Sequence, residues 1–438
     1  MDDGKEKKVS TGRGGRFLKL GGLTAKVGSS YLGQRVKDAF QDGEDKAKSL
    51  AATHILNATR VVETFGQMKG AVMKLGQHMS LAADILPPEV VEILSKLQST
   101  APPVPFSQLR DQVVRELGRP PEELFKEFDT TAHASASIGQ VHRATLHDGR
   151  QVVVKIQYPG VDQMVESDLD NLRTLAKTMG KVWFKGDPLK FFEEVRQRLR
   201  EELDYRIERE NLLLFRRLFA DRDDIVIPEP VDAFSSQRVL TMSYTPGMSW
   251  DEICCEDKDQ ERRNQFGARL LDLLLCQFFD HGVMHVDPHP GNFALDEQNR
   301  LVLYDFGCVK TFDPAFVEGY RRALRDALQG NFDRIPGDLD TIGIRYKGKK
   351  PPDIEWYAAV AGMLLGPFKA DEPVPIHQAD IHSEFQAWGR QNFTTLLQFE
   401  APAELAMFNR VVAGMYGNLR RLKTTALWRD IITPYIAE

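Results

Sequence analysis

The chain has 438 residues, 42% of them apolar, with 57 Lys and Arg against 63 Asp and Glu, a net charge of −6. That length suggests two or three structural units with a sizeable core, and the composition excludes a wholly disordered chain. The longest apolar stretch, Leu270–Phe279, carries Asp272 and Gln277 and falls short of the roughly 18 apolar residues of a membrane span, so no transmembrane insertion is expected.

The first 40 residues hold nine Lys and Arg against four Asp and Glu, with Phe17, Leu18, Leu20, Leu23, Tyr31 and Leu32 interleaved. Residues 1–50 therefore read as a basic flexible or amphipathic arm, suited to an anionic lipid surface. No stacking pattern of aromatics accompanies the charges, so no nucleic-acid partner is expected. Met1–Lys8 lacks an apolar signal core, and a cytoplasmic protein, attached at most peripherally to a membrane, is expected. The four cysteines, Cys254, Cys255, Cys276 and Cys308, have no CxxC spacing and read as reduced thiols rather than a zinc or disulfide framework.

From Ala51 to Leu81 apolar residues recur at Val62, Phe65, Met68, Val72, Leu75 and Met79, the spacing of an amphipathic helix. Pro87, Pro88 and the proline-rich stretch Ala101–Pro105 separate it from a helical pattern over Phe106–Leu117. The texture then changes to short β-type runs, Ser137–Arg143 and Gln151–Tyr158, joined through Asp148-Gly149, a strong hairpin signal. Charged helical patterns follow over Val161–Phe219, then short strands at Ile225–Ile227 and Arg238–Tyr244. Beyond these the pattern is mainly helical, apart from a β-like pair around Asn292–Leu295 and Leu301–Tyr304.

The chemistry sits in His285-Val286-Asp287, Asn292 five residues after Asp287, and Asp305-Phe306-Gly307. HxDxxxxN followed by DFG is the catalytic-loop and metal-binding spacing of protein kinases. Oxygen-bearing side chains must meet around a divalent cation and phosphates, and a loop followed by a hairpin presents them on one side. No Cys or Glu stands near His285, Asp287 and His289 to favour a zinc cluster. Upstream, Val152-Val153-Val154-Lys155 is a strand ending in a lysine placed like the phosphate-pairing lysine of kinases. It follows Ala134-Ser135-Ala136-Ser137-Ile138-Gly139-Gln140, a small-residue loop where a kinase has a glycine-rich one. Alanine and serine restrict φ and add a Cβ, so this loop should cover a nucleotide differently. Glu202, Asp204 and Glu208 are candidate acids for Lys155. On one continuous helix Asp204 and Glu208 would share a face, and spacing alone does not choose among the three.

These motifs resemble the UbiB/AarF-like, coenzyme Q-type atypical kinase-like family. Lys74-Leu75-Gly76-Gln77 is similar to its KxGQ signature, residues 134–141 to its alanine-rich loop, Glu202-Leu203-Asp204 to its ExD motif, and Asp287–Asn292 to its DPHPGN loop. The resemblance implies an α+β fold: a bilobal protein-kinase-like fold with a small β-rich N-lobe, a helical C-lobe and a family-specific N-terminal helical extension. The expected divisions are a KxGQ-containing extension over 51–130, an N-lobe over 131–245 and a C-lobe over 246–438. It further implies that Glu208 partners Lys155, that Asn292 and Asp305 hold Mg²⁺, that Asp287 orients a water or an acceptor hydroxyl, and that Lys74, Gln77, Glu202 and Asp204 restrict the acceptor site. Met242, Ser243 and Tyr244 lie where a hinge would meet adenine. The expected activity is that of an ATPase using ATP or ADP with Mg²⁺, in support of isoprenoid quinone or other lipid metabolism. Its expected partners are nucleotide, anionic or isoprenoid lipid and proteins of a lipid pathway. A small-molecule or lipid kinase and a nucleotide-binding scaffold are the alternatives.

Overall fold

A computed structural model describes residues 104–136, 138–179, 201–255 and 259–437, with scattered positions between 26 and 60 and between 193 and 200. In chain order the elements used below are α1 (Phe106–Leu117), β1 (Glu127–Phe128), β2 (Ala134–Ser135), β3 (Gly139–Thr145), β4 (Gln151–Gln157), α2 (Val161–Met179), α3 (Tyr205–Leu218), β5 (Ile225–Val226) and β6 (Val239–Ser243). They continue with α4 (Gln260–Leu275), β7 (Val283–His285), β8 (Phe293–Leu295), β9 (Leu301–Leu303), β10 (Val309–Thr311), α5 (Pro314–Gln329), α6 (Ala403–Arg421) and α7 (Trp428–Ile436). Of the helix expected from Ala51, the described positions Thr53, Leu56, Asn57, Thr59 and Arg60 are helical. Its remainder, with Lys74 and Gln77, lies outside the described residues, as does most of the arm. The chain divides into two compact units, Met1–Ile207 with Pro230–Tyr244, and Glu208–Glu229 with Thr245–Glu438.

The first unit is built on a sheet of order β1-β3-β4-β6, with β2 added to β3. The Asp148-Gly149 turn forms as the sequence demands. Gly149 takes φ +90°, which suits glycine, and the Leu146 N–H closes onto the Arg150 carbonyl at 2.9 Å. Helix α1 keeps the bounds that its periodicity set. It ends because Gly118 turns left-handed at φ 77° and returns its N–H to the Val114 carbonyl. Leu109 and Val113 are fully buried, and Phe106 packs on His142 of β3 with ring centroids 5.4 Å apart.

His142 was not singled out by the sequence reading. Its ring is wholly buried, with Nδ1 2.9 Å from the Asp129 carbonyl oxygen and Nε2 3.2 Å from Gln140 Oε1. Burial pushes the imidazole pKa down, against the weaker pull of its hydrogen bond. The unfolded chain therefore gains a proton below about pH 6.5 that the folded chain resists. The stability contributed is present above that value and is lost as pH falls towards the lower folded pKa. His142→Gln should flatten the fall of Tm between about pH 7.5 and 5.5, and equal slopes in variant and parent would contradict this.

One expectation is corrected here. The ExD segment and Glu208 do not lie on one helix, because Leu203 and Asp204 break it. Tertiary hydrogen bonds hold the break open: Gln157 Nε2 donates to the Leu203 carbonyl at 2.8 Å, and the Tyr205 N–H donates to the Gln237 carbonyl at 2.9 Å. Asp204 then caps α3, its Oδ1 accepting the Arg206 N–H at 3.0 Å. Asp204 and Glu208 are therefore not i and i+4 on one face.

In the second unit β5, β9 and β8 form a three-stranded sheet and β7 pairs antiparallel with β10. Helix α4 runs into a π-turn over Cys276–Asp280 just before β7. The C-terminal helix α7 is fastened to this region, with Tyr435 Oη donating to Asp272 Oδ1 at 2.6 Å and Arg325 Nε to the Ile436 carbonyl at 2.6 Å. Phe278, Phe312, Phe316, Tyr320 and Phe408 form the aromatic core between α5, α6 and the π-turn. Among the described residues no helix is long and apolar enough to cross a membrane.

Candidate functional site

The alanine-rich segment is a tight hairpin rather than an open loop. Ala134 and Ser135 pair with Val141 and Gln140, and the Ala136 N–H donates to the Gly139 carbonyl at 2.9 Å. Ser137 lies outside the described residues. Ile138, Gly139 and Gln140 are buried, and Gln140 Nε2 donates to the Val104 carbonyl at 3.1 Å. Ala134 and Ser135 are exposed and Ala136 is half-buried, so they form the accessible side of the turn.

Cross-strand register places Val141, Lys155 and Leu240 in one row of the sheet, and Arg143, Val153 and Met242 in the next. Directly opposed residues project to the same face. That face therefore carries an apolar platform of Val141, Val153 and Met242 beside one buried ammonium. Lys155 is 8% exposed, and its Nζ lies 5.1 Å from the Tyr205 ring centroid, a cation–π distance. Met242 is thus on the platform, whereas Ser243 projects to the opposite face with Val152. The Tyr244 N–H donates to the Gln151 carbonyl at 2.9 Å, and the Arg143 guanidinium stacks 4.2 Å above the Tyr244 ring. The sequence reading missed Arg143. Glu202 and Asp204 are half-buried, and hydrogen bonding from the Arg206 side chain holds the Asp204 carboxyl below the usual carboxylate range.

In the second unit, antiparallel pairing of His285 with Val309 brings the two halves of the motif together. The Val286 N–H donates to the Cys308 carbonyl at 2.9 Å, and His285 Nε2 lies 2.5 Å from the Asp305 carbonyl oxygen. A carbonyl only accepts, so Nε2 carries the proton. Asp287 is fixed from two sides: its Oδ1 accepts the His289 N–H at 3.3 Å, and its Oδ2 accepts Asn292 Nδ2 at 3.2 Å. The same amide nitrogen donates to the Asp287 carbonyl at 3.1 Å. Helix α6 braces the loop, with Asn418 Nδ2 donating to the Pro288 carbonyl at 2.7 Å.

Asp305 Oδ1 accepts the Gly307 N–H at 2.8 Å, an Asx turn that aims the carboxylate. A Cβ on Gly307 would lie 3.2 Å from Asp305 Oδ1 and 3.9 Å from Glu208 Oε2. Both carboxylates therefore border the space that this glycine leaves empty. Helix α3 aims one face at the same turn. Glu208 is 4% exposed, Asn211 Nδ2 donates to the Phe306 carbonyl at 2.9 Å, and the Phe215 ring lies 5.1 Å from that of Phe306. The spacing 208, 211, 215 is that of one helical face. It was present in the sequence, although nothing there marked Asn211 and Phe215 as partners of the DFG turn.

These residues fit a hard divalent cation. The Asn292 nitrogen is committed to Asp287, so its Oδ1 and the Asp305 carboxylate would be the donors, an all-oxygen set of the kind Mg²⁺ takes. Among the described residues no group of three or more His, Cys, Asp or Glu could hold a metal by itself. Phosphate oxygens would have to complete such a site.

The sequence model of the ABC1 atypical kinase-like domain matches residues 96–338. The chain is 33% identical over 349 residues to the probable serine/threonine-protein kinase abkA of Dictyostelium discoideum, covering 76% of this chain and 61% of that protein. It is 32% identical over 437 residues to the mitochondrial atypical kinase coq-8 of Caenorhabditis elegans, covering 96% of this chain and 56% of that protein. The mitochondrial atypical kinase COQ8B of Rattus norvegicus is 32% identical over 447 residues, 98% of this chain and 81% of its own. The chain thus spans less than two thirds of the length of the first two relatives. The solved structure of Rv3197 from Mycobacterium tuberculosis, a complex with erythromycin, has a TM-score of 0.65 and 27% identity, covering 90% of this chain and 100% of that one. The α+β architecture is accordingly kinase-like. With the family model covering more than half of its residues, the chain belongs to the ABC1 atypical kinase-like family.

Proposed function

We propose that this chain binds ATP or ADP with Mg²⁺ and hydrolyses ATP in support of isoprenoid quinone or other lipid metabolism, the pathway being carried over from the UbiB resemblance. The observation that supports it best is the Asn292 amide, whose nitrogen ties down both the carbonyl and the carboxylate of Asp287 and so leaves its oxygen to a cation.

Asn292 and Asp305 would hold the cation, which supplies charge neutralisation at the phosphates when bound. Asp287, held by two hydrogen bonds, presents its carboxylate to a water or an acceptor hydroxyl and accepts its proton. Lys155 contributes a buried positive charge for phosphate oxygens, and Glu208 a buried negative one that balances the site. The platform of Val141, Val153 and Met242 suits a flat base, with Ser243 and Tyr244 at its end. The alanine-rich segment Ala134, Ser135, Ala136, Ser137, Ile138, Gly139 and Gln140 covers the phosphates with its backbone. Lys74, Gln77, Glu202 and Asp204 narrow the acceptor side against peptides, and the basic arm over residues 1–50 gives a reversible hold on anionic lipid.

The test is phosphate release from ATP by the purified chain with Mg²⁺, with and without anionic liposomes. Asp287→Asn should lower turnover by about 100-fold or more while leaving the nucleotide-induced rise in Tm in place. Turnover unchanged in that variant would remove the assignment. The relative solved with erythromycin carries a small molecule, which supports a small-molecule kinase as second reading. A parallel phosphotransfer assay separates the two, since only a kinase leaves label on an acceptor.

A further inference from the structure

Gln277 interrupts an apolar run, Leu273–Phe279, whose other members are all buried. A glutamine 3% exposed in such a run is costly unless its amide is satisfied. The fold meets that need with a rare device. Helix α4 widens into the π-turn Cys276–Asp280, in which the His281 N–H reaches the Cys276 carbonyl at 3.3 Å. The extra residue lets Gln277 Oε1 accept the backbone N–H of His285 at 2.7 Å. His285 pairs on its other side with Val309, so its N–H faces the helix, where no strand can serve it. The His285 ring, 5% exposed, then donates through Nε2 to the Asp305 carbonyl at 2.5 Å, and its Nδ1 has no hydrogen-bond partner among the described residues. The ring is thus located by its backbone and by that one bond to Asp305.

We propose that Gln277 is a positioning residue for the cation-binding carboxylate of Asp305, acting through His285. This rests on the metal assignment above and adds a residue that the motif does not contain. Neighbours of metal ligands tune affinity by holding the ligand in its bound geometry, and π-turns often occur at such places. Gln277 touches neither nucleotide nor cation. Its loss should therefore alter how much Mg²⁺ the nucleotide complex requires, rather than remove the site.

The experiment measures Tm of the full chain with saturating ATP while Mg²⁺ is titrated, so that it reads binding and not turnover. Gln277→Met keeps the shape and removes the acceptor. It should raise the Mg²⁺ concentration at half-maximal shift by about tenfold. Gln277→Glu, which keeps an acceptor oxygen, should stay near the parent. A lower Tm without nucleotide but an unchanged Mg²⁺ requirement in Gln277→Met would make the residue merely structural and overturn the proposal, as would equal shifts in both variants. If Gln277→Met does not fold, hydrogen exchange over residues 283–287 of the parent decides. The His285 amide should exchange slowly and slow further with Mg²⁺ and ATP, and exchange indifferent to them would defeat the idea. A parent with no Mg²⁺-dependent shift at all would instead remove the function proposed above.

Discussion

Gly139→Ala should destabilise the protein by about 3 kcal/mol or more, even though alanine usually stabilises an unstrained glycine position by limiting the unfolded chain. The reason is contact rather than backbone freedom. Gly139 is not among the glycines with positive φ, but a Cβ there would stand 2.3 Å from the Ile156 carbonyl oxygen and 3.1 Å from the Tyr205 hydroxyl. The first of these atoms is backbone within β4, one residue from Lys155. It cannot withdraw without opening the β3–β4 ladder, so the damage should extend to the face carrying Lys155. Gly149 is the natural control. It has φ +90° and nothing within 4 Å of a Cβ, so Gly149→Ala should cost only about 1 kcal/mol, through its backbone alone. Thermal and denaturant unfolding of the two variants side by side would test this, and equal losses would show that the close approach does not decide the matter.

Asp305→Asn should abolish most of the Mg²⁺-dependent rise in Tm given by ATP. A ligand at 100 times its Kd stabilises a protein by about 2.7 kcal/mol, so a large effect is at stake. The variant should still fold, because an asparagine oxygen can accept the Gly307 N–H as Asp305 Oδ1 does at 2.8 Å. What it lacks is the negative charge that the carboxylate would offer a cation. Without that charge a strongly hydrated cation has little reason to exchange water for protein oxygen. The Tm without nucleotide should therefore move little while the increment from Mg²⁺ and ATP collapses. A folded Asp305→Asn protein with the full increment would sink the metal assignment.

What the sequence determined by itself is local. The bounds of α1 follow from apolar spacing and a terminal glycine, the β3–β4 hairpin from alternation around Asp148-Gly149, and β8 and β9 from two short apolar runs. The motifs were legible for the same reason: His285 ends β7, Asp287 and Asn292 follow on the loop after it, and Asp305 begins the next turn but one. Each signal lies within a few residues of what it specifies. Tertiary structure alone decided the rest. Leu203 and Asp204 leave the helix because Gln157 and Gln237, distant in sequence, offer hydrogen bonds that compete with helical ones. The π-turn forms where a buried glutamine and an unpaired strand N–H satisfy each other. Arg143 finds Tyr244 only across a sheet whose register joins residues a hundred positions apart. Periodicity encodes which face of an element is apolar, but buried polar groups are satisfied by whatever the fold brings within reach. The partners that aim Asp305 and shape the platform beside Lys155 could therefore be read only after the chain was folded.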